Sequence, residues 1–251
     1  MAGVEGRVAL VTGAGRGIGR AAAELLTSRG AGVMAVARSE HELAALGLAY
    51  TVADLGTADG CAHAVEQTLQ RLGAIDILVC NHGIGSAHER VVWEQDPATW
   101  DETIRINLDG PFRLSRLVLP GMVERLYGRL VYTSSTSGLV AEPAACAYNA
   151  SKHGLLGLMR SVALDAGPHG VTSNAVLPGW VRTEMAERSA RAEAAERNVG
   201  VDEIWQERAA LYPAGRVATP EEVAELIAFL SSEESSGISG EAIRVALGVV
   251  A

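Results

Sequence analysis

The chain has 251 residues, of which 48% are apolar, 20% charged and 4% aromatic, with 28 glycines. That length buries a full aliphatic core in one α/β domain. A net charge of -9 and a pI ≈ 5.2 repel phosphate backbones, which argues against a nucleic-acid partner. Cys61, Cys80 and Cys146 are too few and too scattered for a disulfide framework or a zinc site. Neither a basic, apolar leader nor a run of about 20 apolar residues occurs, so the expectation is a cytoplasmic protein with no membrane partner.

In chain order, short apolar runs alternate with helical patterns. RVALV, GVMAVA, AYTVA, IDILVC, GRLVYTS, VTSNAVL and EAIRVA read as strands. Gly17 to Gly30 carries Ala and Leu at helical spacing, and Thr57 to Gly73 opens on an N-cap threonine and closes on glycine. Strands such as DILVC are apolar on both faces. This pattern predicts a doubly wound Rossmann fold, with about seven parallel strands and helices on both faces. Ligands in such sheets bind beyond the carboxyl ends of the strands, so residues closing a strand are the first functional candidates.

The first strand runs into TGAGRGIG. The spacing is G-x-x-x-G-x-G at Gly13, Gly17 and Gly19, with Gly15 extra. A glycine turn that opens a helix lets backbone N–H groups meet a pyrophosphate, although the same glycines also serve as a plain tight turn. At the end of the second strand, where an acid would bind an adenosine ribose, the chain has Ala37, then Arg38 and Ser39. A guanidinium at Arg38, with Arg16 from the turn, suits a phosphate, so NADP(H) is expected over NAD(H).

Tyr148 and Lys152 lie four apart, on one face of a predicted helix. An ordinary tyrosine is too weak a base near neutrality. A neighbouring ammonium and an oxidised nicotinamide are expected to favour its phenolate. Ser135 closes the strand GRLVYTS, where its hydroxyl can hold a substrate oxygen, with Ser134 and Ser137 as neighbours. Taken singly, each of these residues reads as structural. Their joint appearance on a dinucleotide-type sheet points to chemistry.

The pieces TGAGRGIG (12–19), ADL (53–55), CNHG (80–83), RIN (105–107), YTSS (132–135), YNASK (148–152) and PGWVRT (178–183) together resemble the short-chain dehydrogenase/reductase family, over nearly the whole chain. The resemblance implies an oxidoreductase with a catalytic tetrad. Asn107 would hold a relay water, Ser135 would orient substrate, Tyr148 would exchange the proton, and Lys152 would bind the nicotinamide ribose and lower the tyrosine pKa. It also implies Gly13, Gly17, Ile18 and Gly19 at the pyrophosphate, Asp54 and Leu55 at adenine, Asn81 and Gly83 at the adenosine side, and Pro178, Gly179, Val181 and Thr183 at the nicotinamide end. No metal is implied. Family analogy further implies a homotetramer, or else a dimer, paired through the helix before GRLVYTS and the one carrying Tyr148.

Three departures stand out. His82 replaces the family's alanine and is expected to be an accommodated structural histidine. About ten residues separate Arg38 from the third strand, so the second helix is expected to be short and the adenosine pocket more open. ALG at 246–248 replaces the family's terminal motif. The Ala/Glu/Arg-rich segment at about 183–213 reads as one or two helices forming a substrate lid, with Ser137, Val140, Trp180 and Met185 as substrate contacts. Trp205 and Tyr212 read equally as packing residues. PGWVRT and this lid resemble the 3-hydroxybutyrate dehydrogenase branch, but Ser137 and Ala145 stand where that branch has its carboxylate-binding histidine and lysine. A neutral ketone, a secondary alcohol or a 3-oxoacyl thioester is therefore expected before a 3-hydroxy acid. An NADP(H)-binding sensor without turnover, and an epimerase or dehydratase, are the competing readings.

Overall fold

The computed structural model describes residues 3–86 and 89–249. All seven expected strands form: β1 (Val8–Thr12), β2 (Gly32–Ala37), β3 (Ala49–Val52), β4 (Ile77–Cys80), β5 (Gly128–Thr133), β6 (Val171–Pro178) and β7 (Ala242–Val245). They make one parallel sheet in the order β3-β2-β1-β4-β5-β6-β7. Leu10 lies opposite both Met34 and Leu78, and Val131 opposite Asn174. The winding direction reverses between β1 and β4, which opens a crevice at their carboxyl ends.

Alternation along the strands divides the interior into two apolar layers. Leu10, Met34, Leu78, Leu130 and Tyr132 face one side, where they meet α3 (Ala58–Leu72), α5 (Gly110–Glu124) and α6 (Cys146–Ala166). Ala9, Val11, Val33, Ala35, Ile77, Val79 and Val131 face the other, against α1 (Gly17–Ser28) and α9 (Pro220–Leu230). Local signals set the helix ends. Thr57 caps α3 by accepting from Gly60 N, and Gly73 closes it at φ 84. Thr219 and Glu222 form a full capping box on α9.

Helix α2 (Glu40–Ala44) has five residues, as short as expected. Helix α4 (Pro97–Ile104) runs through a π-turn at Arg105–Asp109 into α5. The lid segment forms two helices, α7 (Glu184–Arg197) and α8 (Val201–Ala210), which close on a small core of their own around Ala190, Ile204 and Trp205. Among the described residues no helix is long and apolar enough to cross a membrane.

Candidate active site

The turn between β1 and α1 is built by backbone. Gly13 and Gly17 adopt φ 64 and 54, which side-chain-bearing residues rarely hold. Gly19 is required by proximity, since a Cβ there would lie 2.2 Å from the Gly13 carbonyl oxygen. Ile18 lies at the edge of the adjoining apolar layer. No side chain caps α1 at Arg16, so the first-turn N–H groups are left to the crevice. These features fit a pyrophosphate: a cradle that admits no Cβ, facing a helix start with unclaimed donors.

The two arginines of this region differ. Arg16 is ion-paired to Glu42 of α2 at 3.0 Å. Arg38 is exposed at the end of β2 and makes no ion pair among the described residues. The short α2 does not simply open the adenosine side, as the sequence led us to expect. It carries Glu42 across the turn, so close that a Cβ on Gly15 would meet the Glu42 carboxylate at 2.7 Å. Asp54 accepts from Gly56 N at 3.0 Å and lies 3.8 Å from Arg105, while Leu55 is buried beside it.

Asn81 works as a brace. Its amide donates to the Thr12 and Gly13 carbonyls at 3.3 and 3.4 Å, tying the glycine turn to β4. His82 turns inward, with Nδ1 2.8 Å from the Thr12 hydroxyl. Burial, reinforced by the Lys152 charge, pushes its pKa down to about 3, so the imidazole is neutral. Room for it comes from Gly110, where a Cβ would lie 2.6 Å from Nε2. It is thus an accommodated structural histidine.

Four expected catalytic residues converge at the carboxyl ends of β4 and β5. Asn107 sits in the π-turn, where its Oδ1 accepts from Ile84 N at 2.8 Å and its Nδ2 donates to the Ile84 carbonyl at 2.9 Å and to Ser151 Oγ at 3.2 Å. This side chain, expected to hold a relay water, is engaged with protein on both sides, bracing the loop after β4 against α6. A Cβ on Gly83 would lie 3.1 Å from Asn107 Oδ1 and 3.7 Å from Lys152 Nζ, so this glycine keeps the floor of the cleft open.

The three serines sort themselves by direction. Ser134 is buried and donates to the Lys152 carbonyl at 3.1 Å, which removes it from the cleft. Ser137, expected at the substrate, is only 1% exposed and donates to Glu142 Oε1 at 2.5 Å. An ionised carboxylate only accepts, so the Ser135 hydroxyl in turn donates to Ser137 Oγ at 3.1 Å while receiving Ser137 N–H at 3.1 Å. Ser135 alone is part-exposed toward Tyr148.

Tyr148 and Lys152 project from the same face of α6, with Nζ 5.6 Å from the phenol ring centroid. Lys152 is the only lysine in the chain, against twenty arginines. Buried at 5% exposure, it donates to the Thr133 carbonyl at 2.9 Å, and burial pushes its pKa down to about 8. The protein groups around the tyrosine act on it without the nicotinamide that the expectation includes. Burial, aided by the Glu142 and Glu89 carboxylates, pushes the phenol up to about 12, and the downward pull comes from Ser135, not from Lys152. Desolvation of the phenolate is the largest of these effects.

Sequence reasoning missed Glu89, which is 4% exposed. Its two carboxylate oxygens accept from Ala147 N and Tyr148 N, both at 2.8 Å, and so cap the catalytic helix, whose own N-cap residue Ala145 has no side-chain acceptor. Nothing local signals this bond, which spans 58 residues. Tyr212 is similar. Its hydroxyl accepts from Trp180 N at 2.6 Å, and a Cβ on Gly179 would meet it at 2.3 Å, so it clamps the turn after Pro178 to the end of the lid.

Thr183 caps α7 and lies against Gly17, while Val181 pairs with Ala218 behind it. Met185, exposed, reaches across to Gly85 on the loop after β4, where a Cβ would be 3.5 Å from its sulfur. Val140 is exposed on the loop after β5. Trp180, expected at the substrate, instead stacks on Arg208 at 3.7 Å and packs into the lid's own core with Trp205. A cavity of about 410 Å³ is lined by Arg182, Thr183, Glu184, Glu187, Arg188 and Arg191, none of them a residue of the tetrad. We take the crevice at β4 and β5 as the site, because the titratable and hydroxyl groups converge there.

Known proteins share this fold and are similar in sequence along nearly the whole chain. A family profile described as Enoyl-(Acyl carrier protein) reductase matches residues 13–250. The chain is 35% identical over 247 residues to D-beta-hydroxybutyrate dehydrogenase of Cupriavidus necator, covering 94% of this chain and 95% of that one. It is also 35% identical over 250 residues to 3-oxoacyl-[acyl-carrier-protein] reductase FabG of Escherichia coli, covering 96% of each. A crystal structure of actinorhodin polyketide ketoreductase with NADPH superposes with a TM-score of 0.89 at 32% identity, covering 96% of both chains. With the sheet order, the glycine turn and the Tyr148–Lys152 face already in place, these matches establish that the chain belongs to the short-chain dehydrogenase/reductase family of oxidoreductases.

Proposed function

We propose that the protein is an oxidoreductase that transfers a hydride between NADP(H) and a carbonyl/secondary alcohol pair, the carbonyl being a ketone or a 3-oxoacyl thioester. The observation that carries the reading is the convergence of Ser135, Tyr148, Lys152 and Asn107 at the strand ends beside the Gly13–Gly19 cradle. A bound nicotinamide supplies the hydride for the carbonyl carbon. In reduction Tyr148, held protonated by its buried setting, donates its phenolic proton to the substrate oxygen. The Ser135 hydroxyl rotates from Ser137 to the same oxygen and fixes its position. Lys152 keeps a positive charge beneath the cleft, and Asn107 holds the loop after β4 against the helix that carries both groups.

The NADP(H) preference rests on Arg38, exposed beyond β2 where Ala37 offers no carboxylate, and on the NADPH in the ketoreductase relative. Arg16 can contribute once it leaves Glu42. In this reading Asn81 and Gly83 flank the adenosine side, Asp54 and Leu55 the adenine, and Pro178, Gly179, Val181 and Thr183 the nicotinamide end. One domain carries the whole site, with 183–213 as its lid and Met185 and Val140 as apolar substrate contacts. Exposed Phe112 and Leu117 on α5 and Leu164 on α6 support a homo-oligomer paired through those helices, and this reading places it in the cytoplasm.

The test is turnover of a ketone panel followed by nicotinamide absorbance with both cofactors. Tyr148→Phe is expected to lower kcat by at least about 100-fold, the scale of a lost general acid, with cofactor binding retained. Equal turnover by the variant would refute the assigned role. Cofactor binding without any turnover by the wild type would point to a sensor.

A further inference from the structure

Glu142 lies at the mouth of the cleft, and neither the sequence motifs nor the proposed chemistry uses it. Two bonds from the catalytic helix hold its backbone: Glu142 N donates to Asn149 Oδ1 at 3.3 Å, and Asn149 Nδ2 donates to the Glu142 carbonyl at 2.8 Å. Asn149 immediately follows Tyr148, so the loop bearing Glu142 keeps its register with the phenol. Its carboxylate accepts the hydrogen bond donated by the Ser137 hydroxyl and so ends the hydroxyl chain from Ser135. Unlike Ser137, Glu142 is exposed and can meet a substrate directly.

Among the described residues no cation neutralises this charge. None of the ion pairs among the described residues involves Glu142. The cations of the catalytic helix and of the lid region are engaged elsewhere: Lys152 with the Thr133 carbonyl, Arg182 over Trp205 at 4.2 Å, and Arg208 over Trp180 and bonded to Glu193 at 2.9 Å. The carboxylate also acts on the phenols of both Tyr148 and Tyr212, making each harder to ionise, which places it between the catalytic helix and the lid. A substrate oxygen at Ser135 and Tyr148 therefore brings the rest of its molecule beside an unpaired negative charge.

We propose that Glu142 is the specificity-determining residue of the cleft, excluding carbonyl substrates that carry a carboxylate and favouring neutral or cationic ones with a hydroxyl or ammonium donor near the carbonyl. This inference rests on the oxidoreductase reading above and narrows it away from small keto acids. A bare carboxylate facing Glu142 would meet like-charge repulsion in a partly desolvated place, while a donor would gain a charge-assisted hydrogen bond.

The experiment compares kcat/KM for acetoacetamide, acetoacetate and an aminoketone of the same chain length, at low and high salt. For the wild type, acetoacetate is expected to fall at least about tenfold below acetoacetamide, with the gap narrowing in salt. Glu142→Gln is expected to erase most of that ratio, and Glu142→Lys to invert it in favour of acetoacetate. Melting curves of both variants verify folding, and the ratio within each variant cancels a general loss of activity. Turnover of acetoacetamide with a charge ratio unmoved by both substitutions would overturn the role of Glu142 alone. Turnover of none of the three ketones, nor of a secondary-alcohol and 3-oxoacyl-thioester panel, by folded wild-type protein with bound cofactor would overturn the oxidoreductase reading, and this inference with it.

Discussion

Replacing Glu89 with alanine removes the carboxylate that closes the N-terminus of α6. Two backbone N–H groups, those of Ala147 and Tyr148, then lose acceptors at 2.8 Å in a place where the side chain was 4% exposed. Each unsatisfied buried donor costs about 1–3 kcal/mol. Part of that loss is offset, because burial already pushes the Glu89 carboxyl above the usual carboxylate range and its charge is costly to keep. The net expectation is about 3 kcal/mol of destabilisation, which in a chain of this size lowers the melting temperature by roughly 6–12 °C. Glu89→Gln keeps one acceptor and is expected to lose about half as much. Because the lost bonds flank Tyr148, kcat should fall more than KM rises, and more than the folded fraction accounts for. Thermal and urea melts with kcat and KM for both variants provide the assay. An alanine variant melting within about 2 °C of wild type would refute the clamp.

Three further outcomes follow from individual residues. Lys152, the only lysine, should give a single side-chain resonance in protein labelled with isotopic lysine, titrating at about 8 in place of an ordinary 10.5; a midpoint near the ordinary value would contradict its burial. Between those two pH values the unfolded chain binds the proton that the folded one has released, so this group's contribution to stability rises with pH through that window. Below it the cost of the buried ammonium is fully present. Arg38→Ala should weaken NADP(H) binding by at least about tenfold and leave NAD(H) unchanged, as read by calorimetry, while Glu42→Gln, by releasing Arg16, should tighten NADP(H); an unchanged NADP(H) affinity in the Arg38 variant would remove that residue from cofactor choice. Leu126 is held at φ 53 on an exposed turn. Leu126→Gly should therefore stabilise by about 0.5–1 kcal/mol, since left-handed strain outweighs the added chain entropy, and a lower melting temperature would count against this.

Sequence alone determined the features that depend on near neighbours. Alternating apolar runs became β1 to β7, Thr57 and Gly73 bounded α3, and Gly13, Gly17 and Gly19 formed the turn, because each rests on backbone sterics or on contacts within a turn of chain. The four-residue spacing of Tyr148 and Lys152 likewise put both on one face of α6. Tertiary structure decided what those groups experience. Burial pushed the phenol of Tyr148 up, the short α2 brought Glu42 over a turn it was expected to leave open, and Trp180 went to the lid's own core. Glu89 and Tyr212 reached backbone N–H groups 58 and 32 residues away. Periodicity encodes which face a residue occupies, but burial, and partners brought together by the closing of the sheet, decide its charge and its neighbours.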